Sequence, residues 1–257
     1  MYLLVTDETN AEPTTEGEFF IFGGIIFEDK NLLFLDEEIR KIREGAGYKK
    51  SDLFKFDTRL RPTYVSKEKF NEAKDRVLDI CVKNGVNFIA YLIHHGIVDK
   101  TLKIESAINH LTSGFNKFLN EKDAFGACFY DRMPKIENQF NLLRDNFSNG
   151  LRFPNGKRIK LEKIKLHGIT CSGASNIYSA TDIVLGSFRY CVNKPRSEKL
   201  ASYMIKKISD MVWGDREGRS IRCVGKGIIL RPQKPGIKYK KDYSGLIENI
   251  NSLLRRE

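Results

Sequence analysis

Three observations predict an α/β layered protein with a mixed sheet. The chain has 257 residues, 41% hydrophobic and 30% charged, which suits one large domain or two small ones. Short apolar runs rich in β-branched and aromatic residues alternate with segments of helical period for most of the length. The first two apolar runs are joined by a polar stretch of hairpin length, so at least one strand pair is antiparallel. No repeat or low-complexity segment interrupts the pattern.

The elements follow in order. Residues 2–7 (YLLVTD) read as a buried strand that runs into two acids, Asp7 and Glu8. The polar stretch 9–17, with Pro13 and Gly17, is the hairpin loop. Residues 18–27 (EFFIFGGIIF) form a second strand, and its paired Gly23-Gly24 implies a bulge or a close backbone approach. A helix over 31–44 is acidic at its start and basic at its end, as the helix dipole prefers. Ser66 caps a helix running to about Asn84, stopped by Gly85. A buried strand at 86–93 precedes a helix at 103–121, and a strand at 125–131 again ends in aspartate. Then come a helix at 135–147, a basic loop at 149–158, a strand at 161–167, and helices at 176–193 and 197–213. A strand at 221–230 and a helix at 243–256 complete the chain. The predicted organisation is a core domain over 1–195 and a basic helical and strand extension over 196–257 packed on it.

Charge is unevenly placed. The net of +11 divides into −7 over residues 1–44 and +18 over 45–257. A basic body points to a polyanionic partner, of which phosphate backbones are the commonest. An acidic patch within it suits a divalent cation that meets an anionic substrate. No apolar run approaches the roughly 18–20 residues needed to cross a bilayer, so no membrane role is expected. The opening MYLLVTDE lacks the basic start of a secretory leader. Five scattered cysteines suit a reducing compartment. Together these predict a cytoplasmic protein.

Strand alternation places Leu3, Val5 and Asp7 on one face of the first strand and Leu4, Thr6 and Glu8 on the other. In the strand 125–131, Ala127, Phe129 and Asp131 alternate the same way. Two strands ending in aspartate at one sheet edge bring carboxylates together. Their repulsion is relieved by a hard cation such as Mg²⁺ or Mn²⁺. On the helix 176–193, Asp182 stands opposite the apolar stripe Ile177, Ala180, Val184, Phe188 and Cys191, with Ser179, Gly186 and Arg189 on its own side. Small residues around it leave room for a substrate backbone. The turn before that helix (HGITCSGAS) offers backbone donors for an anion.

The order of these motifs resembles the family catalogued as domain of unknown function 3800. The resemblance rests on Asp7-Glu8-Thr9-Asn10, Phe19-Phe20-Ile21-Phe22-Gly23-Gly24, Asp52-Leu53-Phe54-Lys55, Phe129-Tyr130-Asp131, and Tyr178-Ser179-Ala180-Thr181-Asp182-Ile183-Val184-Leu185-Gly186. It spans about residues 2–192. It implies a ribonuclease H-like fold and a setting in bacterial mobile elements or defence. It also implies a catalytic set of Asp7, Glu8, Asp131, Asp182 and Lys55. In that set Asp7, Asp131 and Asp182 hold the metal, and Lys55 neutralises charge developing on the phosphorane. The expected activity is metal-dependent hydrolysis of phosphodiester bonds in RNA or DNA. The alternative is a catalytically inactive nucleic-acid-binding or adaptor subunit.

Arg152, Lys157, Arg158, Lys160, Arg189, Lys238, Lys240 and Lys241 are the expected nucleic-acid contacts, because bases mixed with aromatics suit tracking of a backbone. His94, His95 and His167 lack zinc-site spacing, and one of them is a candidate proton shuttle. There is no Gly-x-Ser-x-Gly elbow and no phosphate-binding Gly-x-x-x-x-Gly-Lys-Ser/Thr loop. The sequence leaves open whether the chain acts alone, as a homo-oligomer, or beside a protein partner in a defence complex.

Overall fold

A computed structural model describes residues 1–9, 18–97, 100–132, 136–153, 156–171, 173–193, 198–218 and 220–253. The expected hairpin loop, with Asn10 of the first motif, lies outside the described residues, as do Ser172, Arg219 and the last four residues. In chain order the elements are β1 Tyr2–Thr9, β2 Phe19–Glu28, α1 Leu32–Gly45, α2 Lys67–Lys83, β3 Asn87–His94, α3 Lys100–Glu121, β4 Gly126–Asp131 and α4 Ile136–Asn149. They continue with β5 Leu151–Arg152, β6 Arg158–Ile159, β7 Ile164–Thr170, α5 Asn176–Val192, α6 Glu198–Ser209, β8 Asp215–Glu217, β9 Ser220–Arg222, β10 Ile228–Arg231 and α7 Ile237–Leu253.

Six strands form one mixed sheet in the order β10-β3-β2-β1-β4-β7, and among the described residues seven α-helices flank it. β2 is antiparallel to both β1 and β3, while β1–β4, β4–β7 and β3–β10 pair in parallel. Every strand except β2 therefore ends at the same edge, which we call the carboxyl edge.

Alternation along the strands sorts the core into two layers. Leu3, Val5, Ile25, Phe27, Ala90 and Ala127 pack under residues of α1, α2, α5, α6 and α7. Leu4, Phe22, Ile26, Tyr91 and Cys128 pack under α3, against Leu111, Phe115 and Phe118. β2 is buried along nearly its whole length, as a central strand covered on both faces must be. Each fully buried Phe or Leu contributes roughly 1.5–3 kcal/mol relative to exposure.

Gly23 and Gly24 show no register shift in β2, so the bulge that their pairing suggested is absent. Close approach is the reason for both. A Cβ on Gly24 would lie 2.2 Å from the Val5 carbonyl oxygen, and one on Gly23 would lie 2.8 Å from Leu185 of α5. Gly23 is the register partner of Asp7. The missing side chain thus lets α5 settle onto the sheet beside that aspartate.

Ser66 accepts a hydrogen bond from the Lys69 amide at the start of α2, and Gly85 follows its end at φ 64°. Elsewhere the boundaries move for local reasons. The expected strand 161–167 begins only at Ile164, after the polar turn that ends at Lys163. The expected strand 221–230 breaks into β9 and β10 at a turn containing Gly225, φ 89°. α6 stops at Ser209, because the following residues pair with β3: Phe88 N–H donates to the Met211 carbonyl. α7 starts at Ile237, just after Pro235-Gly236 and six residues before the expected start. The basic loop at 149–158 contains the β5–β6 hairpin. β10 extends the main sheet beyond β3, and Met204, Ile208, Tyr243, Leu246 and Ile250 share a core layer with β1 and β2. Among the described residues no helix is long and apolar enough to cross a membrane.

Candidate active site

The parallel pairing of β1 and β4 sets Asp7 and Asp131 on one face of the sheet, beyond the last pair of their ladder. Val5 on β1 pairs with Phe129 on β4, and Asp7 and Asp131 each lie two residues further on. They share the sheet face covered by α5, since Leu3, Val5 and Ala127 belong to that layer. α5 supplies Asp182 from above. Glu8, one residue out of phase with Asp7, lines the cleft mouth, and its amide donates to Asp7 Oδ1 at 2.8 Å.

The loop before α2 completes the site. Phe54 is fully buried against Tyr48 and Phe70, with ring centroids 5.0 and 6.2 Å away. That anchor presents the next two residues to the acids. Lys55 Nζ lies 3.1 Å from Asp182 Oδ1 and 3.7 Å from Asp7 Oδ2. The Phe56 amide donates to Asp182 Oδ2 at 2.5 Å. The Phe56 ring fills the space over Gly186, where a Cβ would come within 2.4 Å of it. The room that Gly186 was expected to leave for a substrate is thus occupied by Phe56, and it serves to seat the Lys55 loop on α5.

Electrostatics follow from this packing. Burial pushes the Asp7 carboxyl up to about 7, with Lys55 pulling it down and Asp182 and Asp131 pushing it further up. Burial opposes the charge on Lys55, yet Asp182 and Asp7 outweigh that and raise its pKa. Asp7 and Asp182, joined through Lys55, and Asp131 within electrostatic reach of Asp7 offer the oxygen donors that a hard divalent cation takes. In this structure the positive charge between Asp7 and Asp182 is the Lys55 ammonium. Asp131 Oδ1 accepts from the Arg132 amide at 2.9 Å. Among the described residues no three acid, imidazole or thiol groups stand close enough, as arranged, to enclose an ion.

A cleft of about 270 Å³ opens in front of Asp7 and Asp182, lined also by Glu8, Phe56, Arg59 and Arg189. Arg59 is held at the mouth by Asp57, Nη2 to Oδ2 2.6 Å. The Arg189 Nε is buried without a hydrogen-bond partner. Tyr178, one turn before Asp182, lies within electrostatic reach of both Asp131 and Asp7, and its phenol bonds to Thr170. Sequence reasoning missed Phe56, Arg59 and Tyr178 as site residues. The signal available was the Phe-Lys-Phe-Asp-x-Arg string around Lys55.

The other expected groups scatter. Arg189 alone of the expected nucleic-acid contacts lines the acid cleft. Arg152, Lys157, Arg158 and Lys160 sit on or beside the β5–β6 hairpin, which is tied to α3 on the opposite sheet face by a bond from Asn109 Nδ2 to the Arg152 carbonyl. Arg158 is paired with Asp145 at 3.3 Å. Lys238, Lys240 and Lys241 are exposed on the first turns of α7, whose Tyr239 bonds to the Gly96 carbonyl beyond β3. The expected anion position at the start of α5 is filled from within: Asp36 accepts from the Asn176 amide at 2.7 Å. None of the four histidines lines the cleft. His167 stacks on Tyr130 beneath the other face, where burial lowers it to about 4, so the expected proton shuttle has no counterpart at the acids. Four of the cysteines are buried and all five are free.

No protein-family model matches the chain, and a search of curated proteins found no match.

Proposed function

We propose that the chain is a metal-dependent nuclease of ribonuclease H-like type, acting on phosphodiester bonds of RNA or DNA in the cytoplasm of a bacterium, in defence or on a mobile element. One observation carries the reading: Asp7 on β1 and Asp131 at the end of the adjacent parallel β4 each lie two residues past the last pair of their ladder, and Asp182 of α5 meets Asp7 across the Lys55 ammonium. A three-strand antiparallel meander continued by two parallel strands supports the ribonuclease H-like assignment. So does the order of motifs that resembles the family named above.

In this reading Asp7, Asp131 and Asp182 hold one or two Mg²⁺ or Mn²⁺ ions. When bound, such ions supply positive charge to the scissile phosphate and acidity to an attacking water. The chain's own residues do the rest. Lys55 leaves its pairing with Asp7 and Asp182 and turns its ammonium toward charge developing on the phosphate. The Phe56 amide fixes the orientation of the Asp182 carboxylate. Arg59 and Arg189 hold the substrate backbone at the mouth of the cleft.

A second reading, a nucleic-acid-binding subunit without turnover, is favoured by the Lys55 ammonium standing between Asp7 and Asp182. Such a protein already carries its own cation at the centre. Cleavage of labelled single- and double-stranded RNA, DNA and hybrid with Mg²⁺ or Mn²⁺ separates the two. The nuclease reading expects metal-dependent cutting, abolished by EDTA and lowered about a thousandfold in Asp131→Asn, the loss of several kcal/mol of charge stabilisation. Salt-sensitive binding with no cutting by the wild type would favour the binding subunit.

A further inference from the structure

A cavity lies on the sheet face away from the acids, between α3 and the edge strand β10, and the β5–β6 hairpin borders it. Its volume of about 640 Å³ falls in the roughly 300–1,000 Å³ range of small-ligand sites. Three features define what it would take.

The first is charge. Lys117, Lys157 and Arg231 line the cavity, and among the described residues no Asp or Glu does. Arg231 is half-buried, and its Nη1 reaches only the Leu230 carbonyl at 2.8 Å. Burial opposes its charge, and no carboxylate acts in return. A guanidinium partly removed from water without a carboxylate calls for an anion.

The second is a run of rings. Tyr91, His110 and Phe153 stand in series, with centroids 5.5 Å apart for the first pair and 5.0 Å for the second. Such rings take the flat face or edge of an aromatic ligand.

The third is a polar handle inside the aromatic part. His110 Nδ1 lies 2.8 Å from the Ser106 carbonyl oxygen. It must donate there, which leaves Nε2 as an acceptor. Burial holds the ring neutral, near 4. A neutral acceptor beside the edge-on Phe153 ring suits the exocyclic amino group of a nucleobase.

We propose that this cavity is a nucleoside phosphate site, with the base against His110 and Phe153, which the buried Tyr91 backs, and the phosphate at Arg231, Lys117 and Lys157. The site is independent of the nuclease reading, because no residue of the acid cleft contributes to it. The same chemistry is offered by a free nucleotide or by the terminal nucleotide of a strand. Calorimetric titration of the full chain with AMP, adenosine, inorganic phosphate and a 5′-phosphorylated tetranucleotide distinguishes these sources. Saturable one-to-one binding is expected for AMP or the tetranucleotide, with the tighter of the two naming the source. Adenosine and phosphate alone should bind at least about tenfold more weakly, since each offers half of the contacts. Arg231→Gln and, separately, the half-exposed Phe153→Ala should each weaken binding about tenfold or more. Asp182→Asn should leave it unchanged. Two results would overturn the proposal: no binding of either AMP or the tetranucleotide, or binding indifferent to both Arg231→Gln and Phe153→Ala in proteins with wild-type circular dichroism.

Discussion

The two faces of the sheet meet the same carboxyl edge and are built for opposite charges. On the α5 face, burial raises the proton affinity of a carboxylate, and Asp7 and Asp182 pair with a single lysine. On the α3 face, burial drives His110 and His167 down to about 4, and among the described residues the cavity is lined by cations without acids. One residue of register separates the two environments. On β10, Leu230 packs with the α5 layer while Arg231 opens into the cavity under α3. A period of two along a strand is enough to put opposite chemistry on either side of one backbone layer.

The comparison breaks most visibly at Lys55. In Lys55→Gln the carboxylates lose their internal cation while the proposed catalytic charge is also lost. Cleavage should fall about a hundredfold, as for removal of one charge-stabilising donor. The rise in Tm on adding Mg²⁺ should become larger than in the wild type. A smaller rise would mean that Lys55 does not compete for the ion's place. The Arg231→Gln protein, altered on the other face, should keep wild-type cleavage and the wild-type rise.

The pH dependences of the two faces have opposite signs. Asp7 is raised from 3.8 to about 7 in the folded protein. The folded state therefore binds the extra proton between those values, and this contribution to stability is lost as pH rises toward and through 7. His110 and His167 are depressed from 6.5 to about 4, so their contribution is present above 6.5 and lost as pH falls toward 4. Asp7→Asn removes the first effect alone. In metal-free buffer it should be about 2 kcal/mol more stable than wild type at pH 8, with the gap closing toward pH 4. Urea unfolding at several pH values measures this, and a gap that widened toward acid would contradict the buried state of Asp7.

Gly186→Ala tests the seat of the Lys55 loop. The added methyl meets the Phe56 ring at less than 3 Å, so the variant should lose about 1–2 kcal/mol through overpacking. Cleavage should fall further than that loss of folded protein accounts for, because Lys55 and the Phe56 amide move with the ring. Smallest is the effect on nucleic-acid binding. Arg189→Gln, in the acid cleft, should lower the slope of log affinity against log salt by about one. Arg152→Gln, on the far hairpin, should leave it unchanged. The reverse order would move the nucleic-acid path to the α3 face.

Much of the acid centre is legible in the sequence. Asp7 and Asp131 stood at the ends of apolar strands with matching alternation, and Asp182 opposite the stripe of a regular helix. Periodicity carries such information. What it does not carry is the partnering of irregular segments. Phe56 lies 130 residues from Gly186 in the chain and Asp36 lies 140 from Asn176, so neither the filled space over α5 nor the filled anion position at its start has a local signature. The basic loop expected at 149–158 is legible as charged, and the structure folds part of it into the β5–β6 hairpin. Its face was not readable, because a two-stranded ribbon off the main sheet inherits no register from it. Lys163, Lys226 and Arg222 add little free charge to the basic body, being committed to Asp123, to Glu121 and Asp215, and to Glu217.

The central claim is that Asp7, Asp131 and Asp182 form one cation-binding centre. Mn²⁺ titration followed by electron paramagnetic resonance tests it most directly, using the wild type, Asp7→Asn, Asp131→Asn and Arg231→Gln. The account predicts saturable Mn²⁺ binding that either aspartate substitution weakens at least about tenfold and that Arg231→Gln leaves unaltered. Binding indifferent to both aspartates, or no saturable binding in the wild type, would contradict it.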